Sequence, residues 1–380
     1  MSGLYVHYPF CRAKCAYCDF FSGPYRRETA AGFERALLLE AAGTASPFPV
    51  RTVYFGGGTP SLMNPDTAAR IIDHAGHRWQ LAADAEITLE ANPGTLSLQK
   101  LKSFRQAGIN RISLGVQALD TEGLALLGRI HSADQVFEAV EMIASAGFDN
   151  FGFDLIYGIP GQTEAVWSET LERLIRCKPN HFSCYALELE PEVPLARRIG
   201  AGLIPEPDDD EAARFYYNTI EQLTRSDYQH YEISNFARPG LACRHNINYW
   251  AGGDYLGIGP GAVSCINDTR YKNKPDVENY VRQSEAGQMP SREILETMNP
   301  WERAVDAMML GLRMMKGVSR GEYSGRFGFD PAERFREALA ESSREGLIQV
   351  DAETIRLTPE GYFLSNVVFL RILETEKPEY

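Results

Sequence analysis

Three of the chain's seven cysteines, Cys11, Cys15 and Cys18, fall within the single stretch YPFCRAKCAYCDFF, and the next is Cys177. The spacing C-x3-C-x2-C puts three thiolates on a short loop straight after the apolar run GLYVHY. A structural zinc site takes four protein ligands, and no fourth is near: Asp19 is adjacent but hard, and His7 lies on the preceding strand. A [4Fe-4S] cluster takes one ligand per iron. Three thiolates without a fourth leave one iron open to an exogenous ligand, and that is the chemistry the loop suggests. A distant fourth ligand, Cys243 or His245, is the alternative and would make this a zinc site.

Such a loop needs elements that hold it in place. Six apolar runs predict strands: GLYVHY (3–8), RTVYFGGG (51–58), DAEITLEAN (84–92), RISLGVQ (111–117), NFGFDLIYG (150–158) and HFSCYALELE (181–190). Helical patterns lie between them, over about 26–43 and 66–80, in LSLQKLKSFRQAG, after residue 117, in ADQVFEAVEMIASAG and in TEAVWSETLERLIRC. Strand, loop and helix in regular succession predict an α/β fold with a parallel sheet and right-handed crossovers. Gly56, Gly57, Gly58, Glu90, Gln117, Asp154 and Tyr185 fall at or just after the carboxyl ends of those strands, where parallel sheets collect ligands. Glu90 and Asp154 end apolar strands, so each charge needs a partner. One shared cleft is expected.

After residue 190 the pattern changes. EPDDDEAARFYYNTIEQL predicts an amphipathic helix with an acidic start. The stretch 230–264 is rich in Gly, Asn and Tyr; its RHNINYW reads as loop, and DYLGIGPGAVS as strand and loop lying close against something. WERAVDAMMLGLRMM predicts a core helix, and GLIQVDAETIRLTPEGYFLSNVVFLRIL two short strands and a helix entered at Pro359. These last segments predict a small winged-helix-like α+β module, without the basic stripe of a DNA reader. The expected divisions are a core over 1–190, an extension over 191–285 and a C-terminal module over 286–380.

With 380 residues, 44% of them hydrophobic, the chain can bury one large core and a small one. Its formal net charge of -13 opposes broad attraction to nucleic acid or anionic lipid, though an acidic surface is compatible with transient docking at a membrane protein. No run of about 18 apolar residues and no secretory signal appears, so a cytoplasmic protein is expected. Cysteines spread this thinly are unlike a secreted disulfide scaffold; Cys177, Cys184, Cys243 and Cys265 are expected to be buried small hydrophobes.

With Tyr17 ahead of its third cysteine, the loop resembles the signature of the radical S-adenosylmethionine superfamily. The resemblance implies a partial (β/α)6 barrel with the cluster at its top, and an open iron that chelates the amino and carboxylate groups of S-adenosylmethionine. YVHYPFCRAKCAYCDF, YFGGGTPS, EANPGT, GINRISLGVQ, LGRIH, FDLIYGIPGQT and EISNFA narrow the likeness. From residue 4 to about 265, and more weakly to the end, the chain is similar to the oxygen-independent coproporphyrinogen III oxidase family, in particular its haem-chaperone branch. This implies cofactor contacts from Tyr5, Tyr17, Gly57, Gly58, Thr59, Glu90, Gln117, Arg129, Asp154 and Ala186, with Val263 as a further one. Glu90 would accept from the amino group, Arg129 meet the carboxylate, Asp154 hold the ribose hydroxyls, and Gln117 serve either polar end. Ordinary core salt bridging of Arg129 with Asp154 or Glu90 is the alternative. Glycine at 57 and 58 suits a backbone that a ligand approaches closely.

Two departures separate the chain from the oxidase itself. Only four residues precede Tyr5, where the oxidase carries a long arm, and Phe20 stands where its loop continues with another cysteine. RHNINYW (244–250) matches an HNxxYW motif associated with haem in the chaperone branch: His245 as iron ligand, Cys243 as a rival thiolate, Tyr249 and Trp250 flanking the macrocycle. The resemblance implies a protein that binds haem, a [4Fe-4S] cluster and S-adenosylmethionine and passes haem to an acceptor protein, with a respiratory membrane protein among the candidates. A radical enzyme acting on a tetrapyrrole is the second reading, and a metal-stapled structural protein the third.

Overall fold

A computed structural model describes residues 2–377. Six strands lie side by side in chain order, all parallel: β1 (Ser2–Tyr8), β2 (Thr52–Gly57), β3 (Glu86–Ala91), β4 (Arg111–Gln117), β5 (Phe151–Tyr157) and β6 (His181–Ala186). Helices α1 (Arg27–Gly43), α2 (Pro65–Arg78), α3 (Leu98–Gln106), α4 (Thr121–Leu127), α5 (Ala133–Ser145) and α6 (Glu164–Ile175) connect them. Five of these begin behind a side-chain cap: Asn64, Ser97, Asp120, Ser132 and Thr163 each accept a backbone N–H from the first turn.

Strand parity explains the layering. Leu4 and Val6, Val53 and Phe55, Ile87 and Leu89, Ile112 and Leu114, Phe153 and Leu155, and Phe182 and Cys184 are buried in one cluster with the helix residues Phe33, Ile71, Leu101, Val136 and Trp167. The residues between them point to the opposite face. That face is polar: Tyr5, Tyr54, Thr88, Glu90, Arg111, Ser113, Asp154 and Ser183. Burying one large aliphatic side chain is worth about 1.5–3 kcal/mol, so the oily face sets the register and the polar face follows it. A slip of one residue would exchange the two.

Asp154 corrects an expectation. It stands in the middle of β5, opposite Gly115 of β4 and Ser183 of β6, instead of at the strand's end. Leu155 and Tyr157 still have neighbours in the oily layer, which carries the strand past it.

The rest of the chain extends the same sheet at both edges. Helix α7 (Asp209–Arg225) leads to β7 (Gln229–Glu232) and β8 (Asn235–Ala237), which continue the sheet antiparallel beyond β6. Helix α8 (Arg244–Trp250) leads to β9 (Asp254–Ile258), which pairs parallel with β1 on its free side. Strands β10 (Val263–Ile266), β11 (Thr269–Asn273) and β12 (Arg292–Thr297) then follow antiparallel. The sheet is open: among the described residues its edge strands, β7 and β12, do not pair with each other.

RHNINYW, expected as loop, is therefore a helix. Glu86, from the start of β3, accepts from the backbone N–H groups of Arg244 and His245, both at 3.0 Å. A carboxylate at a helix N-terminus favours the helix, and this one comes from 158 and 159 residues away, where no local pattern reveals it.

Helix α9 (Pro300–Leu312) buries Ala304, Val305, Met308 and Leu312 in a second, C-terminal core. Around it lie α10 (Arg320–Phe327), α11 (Arg336–Arg344), α12 (Ser365–Leu373) and a small sheet of β13 (Val318–Ser319), β14 (Ile348–Val350) and β15 (Thr354–Leu357) in the order β13-β15-β14. Cys184, Cys243 and Cys265 are buried, and Cys177 is half-buried. Among the described residues no helix is long and apolar enough to cross a membrane.

Candidate cofactor site

The cysteine loop leaves β1 at its carboxyl end. Its neck is closed by Gly23 N–H donating to Pro9 O and Tyr25 N–H donating to Cys11 O, each at 2.8 Å. Its tip is tied in two directions, by Ala16 N–H to Leu127 O and by Leu195 N–H to Ala16 O, each at 2.9 Å. All three cysteines line one cavity of about 390 Å³. Cys11 Sγ accepts from Thr59 Oγ1 and Cys15 Sγ from Arg129 Nη1, both at 3.5 Å.

Among the described residues no three His, Cys, Asp or Glu side chains converge as ligands of one ion do. A cubane cluster takes a thiolate at each of three separate irons, so a spread set of thiols fits it better than a single zinc ion. Cys243 and His245, the distant candidates for a fourth ligand, are buried elsewhere and do not line this cavity.

The cavity lies against the polar face of the sheet. Gly57, Gly58 and Thr59 reach it from β2 and the turn beyond, Glu90 from β3, Gln117 from β4, Asp154 from β5 and Ala186 from β6; Tyr17 and Arg129 complete the wall. Glu90 accepts from Tyr54 OH at 2.9 Å and from Gly57 N–H at 3.2 Å. Burial, with the charge of Asp154 second, raises its pKa to about 7. Asp154 accepts from Ser113 Oγ at 3.0 Å, and burial pushes its carboxyl upward as well.

Arg129 donates to Asn92 Oδ1 and to Gly115 O, each at 2.5 Å. Among the described residues it makes no ion pair, so the salt bridge to Asp154 or Glu90 is not formed, and its Nε is buried without a partner. Two backbone features bring the chain close to the cavity. Gly57 has φ +112°, and a Cβ there would fall 2.6 Å from His7. Gln117 has φ +67° beside an irregularity in β4, local strain of the kind that gathers at binding sites.

Tyr5 and Val263 do not join this group. They line a second cavity, of about 580 Å³, together with Tyr249, Trp250, Tyr255, Arg270 and Lys272. Tyr5 OH lies 3.1 Å from His7 Nδ1, and His7 Nε2 lies 2.9 Å from Phe21 O. Burial, with the charge of Lys272 also contributing, lowers His7 to about 4. Phe20 is 62% exposed and lines both cavities.

His245, expected as an iron ligand, lines neither cavity. Its Nδ1 lies 2.8 Å from Thr52 Oγ1 and its Nε2 2.9 Å from Tyr249 OH. Its ring stacks on Tyr54 at 5.1 Å. Burial, then the charge of Arg111, lowers its pKa to about 3, so the imidazole is neutral and both its nitrogens are engaged. The rival thiol, Cys243, is likewise buried, 3.5 Å from Glu86 Oε1.

Three residues that sequence reasoning did not single out hold the first cavity together. Asn92 joins Arg129 to Thr59, donating to Thr59 Oγ1 at 3.0 Å; Tyr54 holds Glu90; Ser113 holds Asp154. Their signal was parity. Asn92 lies two residues from Glu90, Tyr54 two from Gly56 and Ser113 four from Gln117, each an even step along its strand from a position already noted.

Comparison with known proteins agrees with this organisation. Residues 5–174 match the Radical SAM superfamily, and residues 298–364 the HemN C-terminal domain. The chain is 34% identical to the heme chaperone HemW of Lactococcus lactis, over 98% of its own length and 97% of that protein's. It is 33% identical to the heme chaperone HemW of Escherichia coli, over 98% of each. The structure of the E. coli coproporphyrinogen III oxidase HemN superposes with a TM-score of 0.84 at 26% identity, covering 98% of this chain and 89% of that one.

Proposed function

Because the chain belongs to the HemW family of the radical S-adenosylmethionine superfamily, we propose that it is a haem chaperone, which binds haem, a [4Fe-4S] cluster and S-adenosylmethionine and hands haem to an acceptor protein. One observation carries this: a full-length likeness to HemW proteins in a chain whose three clustered cysteines line a single cavity. The core over 1–190 is read as a partial (β/α)6 barrel, 191–285 as its extension and 286–380 as a winged-helix-like unit.

Cys11, Cys15 and Cys18 would hold the cluster. When bound, the cluster supplies an open iron at which the methionine end of S-adenosylmethionine is chelated. The chain's own groups do the rest. Glu90, fixed by Tyr54 and Gly57, accepts from an amino group. Arg129, its guanidinium held on the cavity wall by Asn92 and Gly115, meets a carboxylate. Asp154 accepts from hydroxyls, and Gln117 meets either polar end. Gly57 and Gly58 keep the wall thin, and Thr59, Tyr17 and Ala186 shape it.

The likeness to HemN favours one second reading, a radical enzyme that acts on a tetrapyrrole. Phe20, where the oxidase loop continues with another cysteine, weighs against it. Titration of the reconstituted protein with haem tests the first reading, and incubation with coproporphyrinogen III, S-adenosylmethionine and a reductant tests the second. Saturable haem binding, followed by transfer to an acceptor such as a respiratory membrane protein, is expected. Formation of protoporphyrinogen IX would overturn the chaperone assignment.

A further inference from the structure

None of the three clustered cysteines lines the second cavity, and of the expected S-adenosylmethionine contacts only Tyr5 and Val263 do. Its walls are aromatic. Tyr249 meets Tyr255 edge-on at 4.7 Å, and Arg313, stacked at 4.4 Å, braces the ring of Trp250. The Trp250 Nε1 is buried with no hydrogen-bond partner among the described residues. Flat aromatic walls suit a planar ligand.

Its charges point the same way. Arg303 is 2.9 Å from Asp268 and 3.0 Å from Asp306, and Arg270 is bonded to Glu296 and lies 3.6 Å from Asp306. Those cations are matched. Of the two carboxylates on the wall, Asp306 is held by both arginines and Asp19 is exposed. Lys272 stands opposite Val263 of β10 and Glu293 of β12, and it forms an ion pair with neither Glu293 nor any other carboxylate among the described residues. An ammonium on a cavity wall that no carboxylate has bonded is a place for a ligand carboxylate.

His245 touches this cavity only through Tyr249, whose hydroxyl it meets with Nε2 while Thr52 takes Nδ1. We propose that the second cavity is the haem seat, that Lys272 receives a haem carboxylate there, and that His245 is a positioning residue that holds Tyr249 in its wall and does not ligate iron. This rests on the chaperone function proposed above.

The test is haem titration of wild type, Lys272→Glu, His245→Ala and His245→Gln, each checked for cluster content, with haem dimethyl ester as a second probe. Lys272 is half-buried on β11, opposite Glu293 of β12, so Lys272→Met, which removes the charge without placing two carboxylates face to face, is titrated beside Lys272→Glu, and the cluster content checks the fold of each. Losing one charge-assisted contact weakens haem binding roughly tenfold or more. The dimethyl ester, which has no free carboxylate, binds wild type and Lys272→Glu alike. His245→Ala binds haem more weakly with its Soret band where the wild type has it, and His245→Gln, which can still meet Tyr249, restores affinity. Wild-type haem affinity in Lys272→Glu, or a Soret band displaced in both His245 variants, overturns the proposal. A wild type that binds no haem at all would instead remove the chaperone function on which it rests.

Discussion

The two cavities are built on opposite plans. The first is drawn from residues 11–188, and its charged groups Glu90, Asp154 and Arg129 are each held by the protein: Glu90 by Tyr54 and Gly57, Asp154 by Ser113, Arg129 by Asn92 and Gly115. The second joins β1, the cysteine loop, α8, the β9–β11 strands and α9, and among the described residues it leaves the ammonium of Lys272 without an ion pair. Groups locked in advance lose little freedom when a ligand arrives, which favours tight residence. A wall gathered from segments far apart in the chain, with a cation left unpaired, suits a ligand that has to leave again. On this contrast the first cavity is for resident cofactors and the second for cargo.

Replacing Cys15 with serine should have the largest effect. It is expected to abolish iron–sulfur absorbance after reconstitution while the haem titration stays as in wild type; loss of both together would break the separation of the cavities. Next in size is Arg129→Ala, which removes a charge-assisted contact and weakens S-adenosylmethionine binding roughly tenfold to a hundredfold. Calorimetry on the cluster-loaded protein measures it, and an unaltered affinity would mean that Arg129 only props up Asn92.

The smallest effect is a pH slope. Glu90 has its pKa raised from 4.5 to about 7 in the folded chain, burial being the main cause. Between those values the folded state keeps a proton that the unfolded state has lost, so this group's contribution to stability falls as pH rises through that window. Urea unfolding of the cluster-free chain at pH 5 and pH 7.5, compared with Glu90→Gln, reads it: the variant should lose less stability across that interval.

The contrast also governs what the sequence disclosed. The six parallel strands and their helices come from short-range periodicity, and the oily parity of each strand carries its polar partners to one face, so the first cavity was legible down to Glu90, Gln117 and Arg129. Asp154 was misplaced only along its strand. The helix in RHNINYW was hidden because its start is stabilised by Glu86. Tyr5 and Val263 were grouped with the S-adenosylmethionine contacts, and the structure puts them in the other cavity, since β9 and β10 reach the site from the far side of β1. Lys272 and Arg270 look, in sequence, like the solvated charges of any hairpin.

The position of β1 has a consequence for how the chain is made. It pairs with β2 on one side and with β9 on the other, and those partners are about 200 residues apart in synthesis. At ribosomal speeds of 5–20 residues per second, one edge of this central strand stays open for roughly 10–40 s. An open edge is a template for wrong pairing, and the cysteine loop hangs from the end of that strand. Newly made chains therefore carry thiols before they carry a finished sheet, and loading iron onto them during that interval would act on a half-built scaffold.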